Sequence, residues 1–296
     1  MSVPLDPVVR STEVCLPPHP TSEKPAFKVP AGACDTHAHV VRDVGQDNFA
    51  PDRSYTPNPA TEDQYLDMLS RNGMSRGVLV QISVYGTNNS YMCEVLQRHP
   101  DKLRGVAVVD ADVPEKELQR LHECGVRGVR LNVLFGGGIG FSSMEALARK
   151  IASLGWHMQF LMDIRKLPEL WPRMKNLPCP VVIDHMGHMP VSNGVNDPAF
   201  HALRHALQTG NWWCKLSGPY RISQLSDYQD VKPWAEALIA EAEDRMLWGS
   251  DWPHVAIPKM VDTGRMLNEL LNWTSSEEQR QKILVDNPAQ LYGFDI

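Results

Sequence analysis

Ala33-Cys-Asp-Thr-His-Ala-His-Val-Val41 carries a short apolar run into a His-x-His pair, and what stands at the end of that run decides the fold. Side chains alternate faces along a strand, so His37 and His39 project the same way. In an open doubly wound sheet the first strand runs into a Gly-x-Gly-x-x-Gly phosphate loop. Here histidines occupy that place and the glycine pattern is absent. Two later apolar runs end in a comparable way. Val181-Val-Ile-Asp-His-Met-Gly187 delivers His185, and Met246-Leu-Trp-Gly-Ser-Asp-Trp-Pro-His254 delivers Asp251.

Between and around these runs the chain alternates regularly. Strands are expected at Ala33–Val40, Arg76–Ile82, Leu103–Asp110, Val126–Val133, Trp156–Asp163, Pro180–Gly187, Trp212–Gly218 and Met246–Pro253. The intervening segments have helical spacing, as in Tyr65, Leu66, Met68 and Leu69, or Met144, Leu147, Ala148 and Ile151. Asp112-Val-Pro-Glu-Lys-Glu117 opens a helix with proline and acids, and Cys124-Gly125 closes it. Several strands are apolar without alternation, as parallel strands covered on both faces are. Eight such units predict an α/β fold with a single (β/α)8 TIM-type barrel over residues 31–296. Residues 1–30, rich in proline and without periodicity, read as an extended leader lying on it. A terminal helix over Ser275–Val285 should close the barrel from outside. Gly136-Gly-Gly138 lacks the Lys-Ser/Thr of a P-loop and reads as a mobile loop at the barrel mouth.

Composition excludes several classes of function. The 296 residues are 43% hydrophobic and 22% charged, ordinary for a globular protein, and the net charge of −6 offers nucleic acid or an anionic membrane no attraction. No apolar stretch approaches the roughly 20 residues that span a bilayer. Met1–Arg10 has neither the charged nor the apolar region of a secretion signal. The six cysteines form no Cys-x-x-Cys pair and read as reduced packing residues of a cytoplasmic protein. Oligomeric state is not legible.

In a barrel the C-terminal strand ends share one mouth, so His37, His39, His185 and Asp251 should converge there. Such a cluster either holds a divalent metal or supplies acid/base groups. His99, His122, His157, His201 and His205, in or near expected helices, read as hydrogen-bonded structural residues. Arg130, in Gly125-Val-Arg-Gly-Val-Arg-Leu-Asn132, points into the barrel and needs an anionic partner, which a substrate carboxylate would supply. Arg221, just past strand seven, reads as the other half of a carboxylate clamp or as a solvated loop residue. Tyr55 belongs to the long loop after strand one. Tyr85, Thr87 and Asn88, at the end of strand two, offer hydroxyl and amide groups to a substrate's oxygens.

Asp35-Thr-His-Ala-His39, Tyr85-Gly-Thr-Asn88, Gly128-Val-Arg-Leu-Asn132, Ile183-Asp-His-Met-Gly187 and Trp248-Gly-Ser-Asp-Trp-Pro-His254 together resemble the amidohydrolase superfamily. Within it the likeness is to the amidohydrolase 2 branch and its 2-pyrone-4,6-dicarboxylate and sugar-acid lactonases, from about Pro30 onward. The resemblance implies a distorted barrel that opens lactones by water attack. It casts Asp251 as general base, and His37, His39 and His185 as the groups around the lactone carbonyl. Arg130, Arg221, Tyr55, Tyr85, Thr87 and Asn88 become substrate-binding residues.

Departures from the pattern matter. The pyrone-dicarboxylate lactonases carry arginines where this chain has Phe135-Gly-Gly-Gly138 and His188, which argues against a flat dicarboxylate in the same pose. Leu161 stands where metal-dependent relatives place a ligand on strand five. The expectation is therefore a carboxylate-bearing lactone as small-molecule partner and no required cofactor. If a single divalent metal such as zinc binds, His37, His39, His185 and Asp251 hold it. A lactone isomerase, a metal-dependent decarboxylase of the same branch and a non-catalytic sugar-acid-binding protein are the alternatives. The last sits poorly with Asp251, since a carboxylate beside an anionic ligand weakens binding.

Overall fold

The computed structural model describes residues 14–19, 23–43, 49–135 and 140–295. Eight parallel strands follow one another in chain order: β1 (Cys34–Ala38), β2 (Arg76–Val80), β3 (Leu103–Ala107), β4 (Val126–Asn132), β5 (His157–Leu161), β6 (Val181–Ile183), β7 (Trp212–Leu216) and β8 (Met246–Trp248). The helices that return the chain are α1 (Glu62–Arg71), α2 (Ser90–Arg98), α3 (Glu115–Glu123), α4 (Met144–Ala152), α5 (Leu167–Met174) and α6 (Pro198–Gln208). They continue as α7 (Pro219–Ile222), α8 (Lys232–Ala242), α9 (Thr263–Trp273), α10 (Glu277–Gln281) and α11 (Asn287–Tyr292). The expected TIM-type barrel is the observed architecture.

Local signals explain where elements begin. Thr61 and Gln64 form a reciprocal capping box at the start of α1, which satisfies two otherwise unpaired amides. Tyr65, Met68 and Leu69 then bury one stripe of that helix against the sheet. Asp197 caps α6, Pro198 opens it, and Phe200, Leu203, Ala206 and Leu207 face inward. All residues of β1, β5 and β7 are buried, as a sheet covered on both faces requires.

Side chains join β8 back to β1. The buried Asp35 carboxylate accepts from the Ser250 amide (2.8 Å), the Ser250 hydroxyl (2.6 Å) and Tyr65 Oη (3.3 Å). Thr36 Oγ1 donates to the Trp248 carbonyl at 2.8 Å. Gly249 permits this approach, because a Cβ there would lie 2.6 Å from His37 Cβ and 3.0 Å from its backbone nitrogen. The amide of Asp251 donates to the His37 carbonyl and that of His39 to the Trp252 carbonyl, both at 2.8 Å. Two of the expected site segments are therefore fastened to each other by the closure itself.

Two expectations change in detail. The strands are shorter at their C-terminal ends than the apolar runs suggest. Residues such as His39, His185 and Asp251 leave the ladder to turn into the mouth, and His185 opens a tight turn, His185–Gly187. The expected terminal helix is broken as well. α10 passes through a π-helical stretch, Lys282–Asp286, before α11. Ile283, Leu284 and Val285 are all buried. Three consecutive apolar residues do not fit one narrow α-helical stripe, and the widened turn helps carry all three inward.

The described part of the N-terminal segment is extended and fastened at both ends. The Cys15 amide donates to the Thr56 carbonyl (2.8 Å) and the Ala26 amide to Asn268 Oδ1 (2.7 Å). Residues 136–138, read from sequence as a mobile loop, lie outside the described residues. All six cysteines are free thiols, five of them buried. No described helix is long and apolar enough to cross a membrane.

Candidate active site

Four residues from three strand ends meet at one point. The Nε2 atoms of His37, His39 and His185 lie 3.8, 3.7 and 3.9 Å from Asp251 Oδ1. These separations are too long for hydrogen bonds. They are the spacing of atoms that face a shared centre, and all four side chains are buried.

The opposite ring nitrogens are engaged. His39 Nδ1 lies 2.7 Å from the Val80 carbonyl, an acceptor only, so Nδ1 carries the proton and Nε2 presents a lone pair. His185 Nδ1 meets Ser217 Oγ at 2.9 Å. His37 Nδ1 sits between Asp184 Oδ1 (3.2 Å) and Lys215 Nζ (3.3 Å). Those two neighbours compete to set its tautomer, and when Nδ1–H donates to Asp184, Nε2 is left bare. His37 Nε2 has no hydrogen-bond partner among the described residues. Burial pushes His37 down to about 3 and His185 well below the usual imidazole value, so both rings are neutral near pH 7.

Asp251 divides its oxygens between two tasks. Oδ2 accepts from Tyr220 Oη at 2.5 Å and from Arg221 Nε at 2.6 Å, while Oδ1 faces the imidazoles. Burial pushes the carboxyl up, but the Arg221 guanidinium beside it outweighs that and holds it well below the usual range. Asp251 is therefore ionised at working pH. Its backbone is left-handed at φ 60, as are His185, Met186, His188 and His254. Such strain gathers where the surroundings impose a conformation.

Below this cluster runs a charged network that the sequence reading did not find. Asp184 Oδ2 accepts from Arg130 Nε (3.1 Å) and Gln159 Nε2 (3.0 Å). Lys215, fully buried on β7, donates to the Thr36 carbonyl and Gln159 Oε1, both at 2.8 Å. Burial lowers the Lys215 ammonium to about 8. A lysine inside the apolar run Trp212-Trp-Cys-Lys-Leu216, and an aspartate next to His185, were the available signals. Tyr220 and His254, linked at 3.2 Å, also went unread.

A narrow pocket opens above the cluster, lined among others by His39, Tyr55, Arg130, His185, Arg221 and Asp251. Tyr55 Oη meets Ser83 Oγ at 3.2 Å there. The structure does not bring Tyr85, Thr87 and Asn88 to this pocket. A tight turn at Ser83–Tyr85 diverts the chain, the Tyr85 hydroxyl accepts from the Arg42 amide, and Thr87 and Asn88 are exposed. Ser83 takes their place. The arginines line the pocket, yet Arg130 finds its anionic partner in Asp184 and Arg221 in Asp251. Arg221 is thus no solvated loop residue. Arg130→Met strands the buried Asp184 charge, so it should cost roughly 3–5 kcal/mol of stability in addition to raising KM. Denaturant unfolding measures the first effect. An unchanged midpoint would show that Lys215 alone balances Asp184.

A family model described as Amidohydrolase matches residues 34–294. The 2-pyrone-4,6-dicarboxylate hydrolase of Comamonas testosteroni is 38% identical over 91% of this chain and 92% of its own length. A 4-sulfomuconolactone hydrolase of Rhizobium radiobacter is 37% identical over 94% and 96%. Among solved structures, a probable 2-pyrone-4,6-dicarboxylic acid hydrolase from Acinetobacter baumannii, with citric acid bound, superposes with a TM-score of 0.80 at 30% identity. That match covers 89% of this chain and 100% of the other.

Proposed function

The chain belongs to the amidohydrolase family, and from that premise we propose that it hydrolyses a lactone bearing a carboxylate. The observation that carries this reading is the convergence of three imidazole Nε2 atoms on Asp251 Oδ1, beneath a pocket edged by two arginines. Relatives named as lactone hydrolases support it.

The steps follow from which atoms are committed. Asp251 Oδ2 is held by Arg221 and Tyr220, so Oδ1 is the oxygen that takes a proton from water. The water oxygen attacks the lactone carbonyl, and the negative charge that develops on the carbonyl oxygen is the largest single demand on the site. Collapse breaks the ring C–O bond, and Asp251 returns its proton to the departing oxygen. At neutral pH the new carboxylic acid releases a proton to solvent. Arg130 and Arg221, at the pocket edge, orient the substrate carboxylate through charge-assisted hydrogen bonds.

The donor set also fits one divalent cation such as zinc. His39 offers a lone pair, His37 a buried nitrogen unpartnered among the described residues, and Asp251 the oxygen that faces both. His37, His39, His185 and Asp251 would hold the ion, with Leu161 adding no ligand. When bound, it polarises the carbonyl and offsets the developing charge. Sequence alone pointed to no required metal. The facing nitrogens shift our reading toward an ion, because a lone pair aimed at a carboxylate oxygen is repulsive unless a cation or proton lies between them. One equivalent of Zn²⁺ per chain is expected by elemental analysis after reconstitution, and chelation should remove most turnover. Full turnover in a metal-free preparation would return the site to acid/base chemistry alone. The function itself is tested by proton release on a panel of lactones with and without a carboxylate. Turnover confined to lactones without one would defeat it.

A further inference from the structure

Two side-chain nitrogens at the pocket have no partner among the described residues. Asn132 ends β4, and its Oδ1 accepts from the amides of Leu134 and Phe135 at 3.0 and 3.1 Å. Those contacts fix the amide plane and leave Nδ2 buried with no acceptor. His188 Nε2 is likewise buried and unpaired, on a residue whose backbone is held at φ 50. An unmet buried polar group is costly unless something else completes it. Both residues line the same pocket as Asp251, so a ligand atom can complete them.

Their chemistry says which kind of atom. The guanidiniums at the pocket already face carboxylates, Arg130 on Asp184 and Arg221 on Asp251. Asn132 carries no charge, and its amide N–H donates to an oxygen lone pair without demanding a second anion. Phe135, Leu161 and Val255 make up the apolar part of the wall. We propose that Asn132 Nδ2 and His188 Nε2 form a subsite for an uncharged substrate oxygen, a ring hydroxyl or carbonyl, and that they select a lactone with one acidic group rather than two. This inference rests on the lactonase reading and narrows its substrate class to hydroxylated monoanionic lactones.

The test uses the full chain and three probes: a lactone with one carboxylate and free ring hydroxyls, its deoxygenated counterpart, and a lactone dicarboxylate. Wild type should favour the hydroxylated over the deoxygenated probe by about 10- to 100-fold in kcat/KM. Asn132→Ser keeps a hydroxyl that can accept from the turn amides, and His188→Asn suits the left-handed backbone while falling short of the ligand. Each should collapse the ratio toward one, mainly through the hydroxylated probe. Thermal midpoints close to wild type would show that both variants are folded. An unchanged ratio in both folded variants would overturn the subsite, as would wild-type preference for the dicarboxylate. If wild type opens no probe, the lactonase reading fails and this one falls with it. Turnover without discrimination defeats the subsite alone.

Discussion

Asp251→Asn lowers kcat by ~10²–10⁴-fold, the range for loss of a general base, while KM changes far less. Asparagine keeps an oxygen to accept from Tyr220 and Arg221, so the local shape survives. What disappears is the ionised Oδ1 that faces His37, His39 and His185. Arg221 loses its counter-charge as well, and a lower unfolding midpoint should accompany the kinetic loss. The two effects separate cleanly in one preparation, since kcat is measured only on the folded fraction. Wild-type kcat in the asparagine variant would remove Asp251 from the chemistry.

Between about pH 7 and pH 4.5 the protein should lose most of its stability. Burial pushes His37 and His157 down to about 3 and His254 to about 4. An unfolded histidine titrates near 6.5. As pH falls below that value the unfolded chain binds protons that the folded chain refuses until about 3–4. The stabilisation is therefore complete above pH 6.5 and lost on the way down to the folded values. At full displacement each ring accounts for roughly 3–5 kcal/mol, and by about pH 4.5 the three together approach the whole stability of an ordinary domain. Asp35 works the other way. Burial raises it to about 6, so it favours the folded state as pH falls from there toward 3.8. One carboxyl does not offset three imidazoles. A thermal midpoint that stays flat down to about pH 4.5 would show that these rings are hydrated in solution.

What could be read in the sequence depended on where each residue stood. His37, His39, His185 and Asp251 were legible because each ends an apolar run, and a parallel barrel sends such ends to one mouth. Arg130 was placed correctly by strand period, but its partner was not, since Asp184 lies 54 positions away, just past β6, and pairing across strands leaves no local trace. Lys215 was hidden by its own setting: a charged residue in an apolar run reads as noise until a carboxylate and carbonyls are found around it. Tyr85, Thr87 and Asn88 misled for the opposite reason. Hydroxyl and amide residues gather in any turn, and these serve the turn. Register and bulk periodicity gave the barrel, whereas the long-range hydrogen bonds that fix tautomers and pKa values needed coordinates.

Hydrolysis at the Asp251 centre is tested most directly by turnover of a carboxylate-bearing lactone in H₂¹⁸O, with the product weighed by mass spectrometry. Water attack at the carbonyl predicts an open-chain acid one water heavier than the substrate, with one ¹⁸O in the newly formed carboxylate. An unlabelled product of the same mass as the substrate would mean intramolecular acyl migration, and would make this site an isomerase.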